Sequence, residues 1–192
     1  MTKSTASKTL AAVVKSSSAA APSASYDLVA QADALKSHMQ EFYLNPEAWT
    51  TLPTVATAPS WKKVRYDVSS KSKIPAEPGL YIFVLEPISS SFPLPPHGYL
   101  LYIGKTGGDQ SKSTLRHRFG EYLKEENDPK GRPAIVYMLR KWKDALHFHF
   151  TPISDKSIIG KMEDELIHGM KPPFNRQYVN IDLRQTMQAA FR

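Results

Sequence analysis

The chain has no cysteine, which excludes disulfides, cysteine-ligated zinc and a thiol nucleophile together. Any metal would have to be held by carboxylate, imidazole, carbonyl or water, a donor set that favours a hard ion. Long apolar runs are missing as well. No stretch reaches the ~18 uninterrupted apolar residues of a spanning helix, and the N-terminus lacks the compact apolar core of a secretory signal. The reading is a cytosolic protein without a membrane partner. The first 25 residues contain no acid and are dominated by Ser, Ala, Thr and Lys. Such a composition offers almost nothing to bury and predicts a disordered tail, while the lack of Arg there argues against a transit peptide.

What is present is globular in character. With 192 residues, 41% hydrophobic and 22% charged, the chain is long enough to bury a core and fits one compact domain with an appendage. A formal charge of +7 makes a polyanion such as nucleic acid a natural partner, because neutralising phosphates releases condensed counterions. Charge alone does not establish that partner, since many basic proteins bind no nucleic acid.

Over residues 26–43, Leu28, Val29, Ala32, Leu35, Met39 and Phe42 recur at spacings of three and four, the signature of an amphipathic helix. Residues 44–78 carry Pro46, Pro53, Pro59, Pro75 and Pro78 and should be mostly irregular, with a short strand around 63–68. From residue 79 strands and helices alternate. LYIFVL (80–85) and YLLYI (99–103) are β-prone and read as an antiparallel hairpin with a long Pro-rich tip. A helix follows over 113–126 with Ser113 as N-cap, then a second over 133–142, a strand over 146–153 and a third helix over 157–170. The order β-β-α-α-β-α gives an α+β chain, divided as a tail (1–25), an N-terminal helix and proline-rich arm (26–75), a main domain (76–180) and a C-terminal segment (181–192).

The hairpin places Tyr81, in Gly79-Leu80-Tyr81, beside Tyr102, in Tyr102-Ile103-Gly104. Alone, two strand tyrosines are packing residues. The acids of the third helix say more. At about 100° per residue, Ile158, Met162, Leu166, Ile159, Met170 and Ile167 sweep one apolar arc; Glu163 falls inside it, Asp164 opposite and Glu165 just outside. A carboxylate on a core-facing stripe is costly unless paired or metal-bound, so Glu163 needs either an ion-pair partner or a metal. On the first helix Arg116 and Arg118 both border the apolar arc, and geometry does not choose between them. His147 and His149 share one side of the third strand; read as an edge strand with no third ligand nearby in sequence, they are surface packing residues rather than metal ligands.

The order of these features resembles the GIY-YIG nuclease family. PGLYIF and YIGKT match the two tyrosine strands that name it. LRHRFGEYL supplies Arg118 and, four residues on, Tyr122; the third helix supplies Glu163, and Pro172-Pro173-Phe174-Asn175 supplies the asparagine after a proline. The resemblance covers about half the chain. It implies an α/β sandwich, a small central antiparallel three-stranded sheet flanked by helices, here with an N-terminal helical extension. It implies a metal-dependent DNA endonuclease leaving 5′-phosphate and 3′-hydroxyl ends, of the restriction, mobile-element or repair kind. The implied catalytic set is Tyr81, Tyr102, Arg118, Glu163 and Asn175. Glu163 would bind Mg²⁺ or Mn²⁺, Tyr81 would act as base, Arg118 would clamp phosphate oxygens, Tyr102 would orient the nucleophile and Asn175 would hold the closing loop. Lys105, Tyr122, Gly79 and Gly104 are supporting residues of the same motifs.

Two features depart from the pattern. About twenty residues separate Tyr81 from Tyr102, more than in most of the family. The arginine-to-glutamate interval is filled by a helix ending in Arg140, Lys141, Trp142 and Lys143, a set that reads equally as a phosphate contact, together with Arg116, or as a solvated helix end. The competing reading is a non-catalytic DNA-binding module on the same scaffold. For the nuclease the expected partner is DNA and the expected place the nucleoid; double-strand cleavage by a one-site enzyme needs two copies or two visits, which leaves a homodimer open.

Overall fold

The computed structural model describes residues 28–36, 38–50, 52, 61–87, 97–108 and 111–175. The expected tail (1–25), most of the hairpin tip and the C-terminal segment lie outside the described residues. Two compact units emerge, residues 1–40 and 41–192.

The first unit contributes one helix, α1 (Leu28–Lys36), with no buried residue. It is shorter than the sequence pattern suggests. The chain turns after Lys36, where His38 and Met39 donate to the carbonyls of Leu35 and Lys36, and Leu28, Val29, Leu35 and Met39 stay exposed. His38, a weak helix former, stands in that turn.

The second unit is a four-stranded antiparallel sheet, ordered β1-β4-β2-β3, with helices on both faces. Its elements are α2 (Pro46–Thr50), β1 (Lys62–Arg65), a 3-10 turn (Val68–Lys73), β2 (Gly79–Leu85), β3 (Tyr99–Thr106), α3 (Leu115–Glu125), α4 (Pro133–Lys141), β4 (Leu146–Pro152) and α5 (Lys156–Met170). The expected three strands are thus joined by a fourth, the short strand expected around 63–68 in the arm, which runs over 62–65. β1 reads KKVR and carries only one partly buried apolar side chain, Val64, so alternation could not reveal that it pairs with β4, Lys63 opposite His149. Its charged residues suit an outer edge, where unpaired backbone invites aggregation. This strand also moves β4 from the expected edge to the interior.

β2 is central and apolar on both sides, as a strand covered on both faces must be. Tyr81 and Phe83 join Phe148, Phe119, Tyr122, Met138 and Leu139 under α3 and α4. Leu80 and Ile103 join Ile159, Met162, Leu166 and Ile167 of α5 on the other face. The helical-wheel arc of α5 fails at one residue: Ile158, in its first turn, is 40% exposed. The N-cap of α3 is Thr114, whose hydroxyl accepts from His117 N at 3.2 Å; the expected cap, Ser113, lies one residue too early.

α5 ends at Lys171, a left-handed residue with φ of 42°, a conformation that costs a non-glycine residue roughly 1 kcal/mol. Its side chain compensates: Nζ donates to His168 O at 2.7 Å and lies 4.2 Å from the centroid of the Tyr43 ring. The turn sends Phe174 and Asn175 back along β3, where Phe174 N donates to Leu101 O.

Candidate active site

Side chains alternate along β3, so Tyr102 and Gly104 face α3 while Ile103 and Lys105 face α5. The residues singled out from the sequence divide between these two faces.

On the α3 side three phenols gather. Tyr81 and Tyr122 share a hydrogen bond between hydroxyls at 2.8 Å, and the Tyr102 ring lies 6.3 Å from each, centroid to centroid. Gly104 stands opposite Tyr81 and must be glycine: a Cβ there would lie 2.3 Å from the Tyr81 hydroxyl. Gly79 has a parallel role, because a Cβ would come within 2.1 Å of Thr151 O on β4. Tyr81 is only 2% exposed. Burial pushes its phenol well above the ordinary value, Tyr122 and Tyr102 push the same way, and only Arg118 pulls it down. A phenol so placed holds its proton tightly and is shut off from bulk water. Tyr102 is the one partly exposed member of the cluster. Tyr122 is also raised, chiefly by burial.

The two arginines of α3 have different partners. Arg116 Nε donates to Ile74 O at 2.7 Å, tying that side chain to the scaffold. Arg118 pairs with Glu121 at 2.8 Å, acts electrostatically on Tyr81, and keeps an enclosed Nε–H without a hydrogen-bond partner. An enclosed donor without an acceptor is costly, and Oε2 of its salt-bridge partner Glu121 is likewise enclosed without a hydrogen-bond partner.

On the α5 side Glu163 meets Lys105, Oε2 to Nζ at 2.8 Å. The glutamate is mostly buried; burial raises its carboxyl above the ordinary range, Lys105 pulls it down, and Asp164 beside it adds to the rise. The apolar-arc argument for Glu163 holds, and the ion-pair partner it demanded is a lysine. Asn175 lies against β3 itself. Its Oδ1 accepts from Ile103 N and its Nδ2 donates to Ile103 O, both at 2.8 Å, so a buried side-chain amide substitutes for a neighbouring strand at the sheet edge. The phenols and the Lys105–Glu163 pair thus meet adjoining residues of one edge strand, from its two faces, with Asn175 pinning the residue between Tyr102 and Gly104.

The other basic residues are less available. Arg140 Nε donates to Glu126 O at 2.6 Å and Lys143 Nζ to Glu126 Oε1 at 2.5 Å, so both fasten the C-terminal end of α3. Lys141 and Arg140 line a shallow surface hollow beside Tyr137.

Two side chains escaped the sequence reading. Arg132, ahead of α4, places its guanidinium 5.6 Å from the Tyr122 ring centroid and forks onto Glu125, with Nε–Oε1 and Nη2–Oε2 both at 2.8 Å. No motif marks it, and its sequence neighbours are ordinary turn residues. Glu86 receives His149 Nε2 at 2.8 Å and Lys63 Nζ at 2.6 Å, with His147 Nδ1 at 3.9 Å. The histidine pair does have an acidic neighbour, 61 and 63 positions away in sequence.

Among the described residues no group of three or more His, Asp or Glu side chains is arranged to hold a metal ion. The donor set at Glu163 is one desolvated carboxylate. That does not fit zinc, which takes three or four protein ligands, but does fit a hard ion that keeps most of its water. No helix among the described residues is long and apolar enough to cross a membrane. No family model matches the chain, and neither a curated protein nor a solved structure matches it.

Proposed function

We propose that the protein is a divalent-metal-dependent DNA endonuclease of the GIY-YIG type, acting at the edge of β3. One observation carries this reading: a phenol cluster beside Arg118, whose Nε–H lacks an acceptor, adjoins an under-compensated carboxylate across a single edge strand. Phosphodiester hydrolysis needs those two poles, cationic donors for the phosphate oxygens and a carboxylate for a cation at the leaving oxygen.

Arg118, whose side chain is about one third exposed, would donate from its Nη groups to non-bridging oxygens, using the planar guanidinium that lysine lacks. Tyr102, the partly exposed phenol, would orient the attacking water and relay its proton towards solvent. Tyr81 and Tyr122 would fix the Tyr102 ring from behind, and Arg132 would hold Tyr122. Glu163 would hold Mg²⁺ or Mn²⁺, which when bound supplies charge stabilisation of the leaving oxygen. Asn175 would keep Tyr102, Gly104 and Lys105 in register. The resemblance implies 5′-phosphate and 3′-hydroxyl products.

A second reading, a non-catalytic DNA-binding module, draws on one observation, that Glu163 already has an ammonium partner. Supercoiled plasmid incubated with Mg²⁺ and either the wild-type chain or Glu163→Ala separates the two. Wild-type nicking abolished by the substitution supports the nuclease; DNA binding without metal-dependent nicking supports the module; equal nicking by both proteins refutes the assignment.

A further inference from the structure

The Lys105–Glu163 contact is built to open. Lys105 reaches α5 beside Gly160, one turn before Glu163, where Nζ lies 3.5 Å from the position a Cβ would take. The ammonium therefore lies along a strip of helix without a side chain, and 37% of the Lys105 side chain is exposed against 16% for Glu163. A flexible four-carbon stem with its head at the surface can swing out without unpacking the core. Glu163 stands on α5 beside Met162 and one turn from Leu166 and Ile167, which belong to the core, so its carboxylate stays on the more enclosed side of the contact. Two cations within contact distance of one carboxylate repel each other strongly where water is partly excluded, so the carboxylate accommodates one at a time.

We propose that Lys105 is the resident counter-ion of Glu163 and that a divalent cation displaces it, turning the ammonium into solvent as a further phosphate-binding cation. This rests on the reading that Glu163 takes the metal. Loading then does two things at once: it compensates the buried carboxylate, and it delivers a second positive group beside the strand that carries Tyr102.

The test uses the full chain, Mn²⁺ as probe, and acylation of lysines by a succinimidyl ester followed by peptide mass spectrometry. An amine clamped by a carboxylate reacts slowly. Mn²⁺ should speed labelling of Lys105 several-fold and leave Lys161, which pairs with Glu165 at 3.7 Å, unchanged. In Glu163→Gln, Lys105 should label fast with or without the ion. In parallel, binding followed by the electron paramagnetic resonance of free Mn²⁺ should tighten by roughly threefold or more in Lys105→Met, as expected for removing one partly exposed competitor, and change less in Lys161→Met. Mn²⁺ binding that depends on Glu163 without faster labelling of Lys105, or equal tightening in the two lysine variants, overturns the displacement. Mn²⁺ binding unaltered by Glu163→Gln instead overturns the metal assignment beneath it.

Discussion

Glu86 and Glu163 are both partly buried carboxylates gripped by one lysine, Lys63 at 2.6 Å and Lys105 at 2.8 Å, and their side chains are 18% and 16% exposed. Burial raises both carboxyls. Yet Glu86 ends below the ordinary carboxylate range and Glu163 above it. The difference lies in the remaining neighbours. β4 alternates, so His147 and His149 stand on the face that Glu86 reaches, and His149 adds a second hydrogen bond at 2.8 Å. Glu163 has Asp164 beside it instead, which disfavours a second charge. A carboxylate with several side-chain donors is finished as a structural joint, whereas one held by a single lysine, through its ammonium and its backbone N–H, retains a demand for positive charge. The helical-wheel argument detects burial but not compensation, and compensation separates a joint from a candidate metal ligand.

The largest test of that contrast is catalytic. Under the proposed function, Glu163→Gln should reduce plasmid nicking about a thousandfold, the equivalent of ~4 kcal/mol of lost transition-state stabilisation, while Glu86→Gln should leave it within about threefold. A folded Glu86→Gln protein as inactive as Glu163→Gln would break the comparison.

Next in size is the strand that brings Lys105 to Glu163. Asn175→Ala would leave the amide and carbonyl of Ile103 without their partner in a buried setting, at roughly 1–3 kcal/mol for each group left unsatisfied. Urea unfolding should show a loss of about 2–4 kcal/mol. A loss below about 0.5 kcal/mol would mean that water replaces the side chain and that Asn175 does not pin the edge.

Smaller again is removal of each lysine. Lys63→Met leaves Glu86 its histidines and should cost only a few tenths of a kcal/mol, as exposed pairs do. Lys105→Met leaves Glu163 only the backbone N–H of residue 105, without a second side-chain donor, and should cost about 1 kcal/mol. Equal losses in thermal or urea unfolding at neutral pH would show that the histidines do not compensate Glu86.

These contrasts also show how far the chain's text could be read. β2 and β4 were legible because apolar runs and alternation are properties of single strands, and α3, α4 and α5 because their apolar faces repeat locally. β1 was legible as a short strand but not as a member of the sheet, since KKVR gains that place only by pairing with β4, a partner some eighty positions away. At the site, Tyr81, Tyr102, Arg118, Glu163 and Asn175 were named by the resemblance, but their states were not. That Tyr81 is enclosed, that Arg116 is tied to Ile74 while Arg118 keeps a donor, and that Arg132 leans on Tyr122 all depend on contacts between distant segments. The third-helix prediction erred at Ile158 because a helix's first turn can overhang the sheet it packs on.

The finest prediction follows from the opposite directions of the two carboxyls. Glu86 has a folded pKa below its unfolded value, so its ionised form stabilises the fold at neutral pH, and that contribution is lost as pH falls through the folded value. Glu163 has a folded pKa above its unfolded value. Between the two values the native state binds more protons than the unfolded state, so stability decreases as pH rises through that window, and ionised Glu163 is a net cost at neutral pH. Glutamine imitates the protonated carboxyl. In metal-free buffer at pH 7, Glu86→Gln should therefore lower the melting temperature and Glu163→Gln raise it. Both differences should shrink as the pH is lowered past the ordinary carboxylate range, where the wild-type side chains protonate as well. Shifts of the same sign for the two variants at pH 7 would mean that Lys105 compensates Glu163 as fully as Lys63 and the histidines compensate Glu86, and the distinction between joint and candidate ligand would disappear.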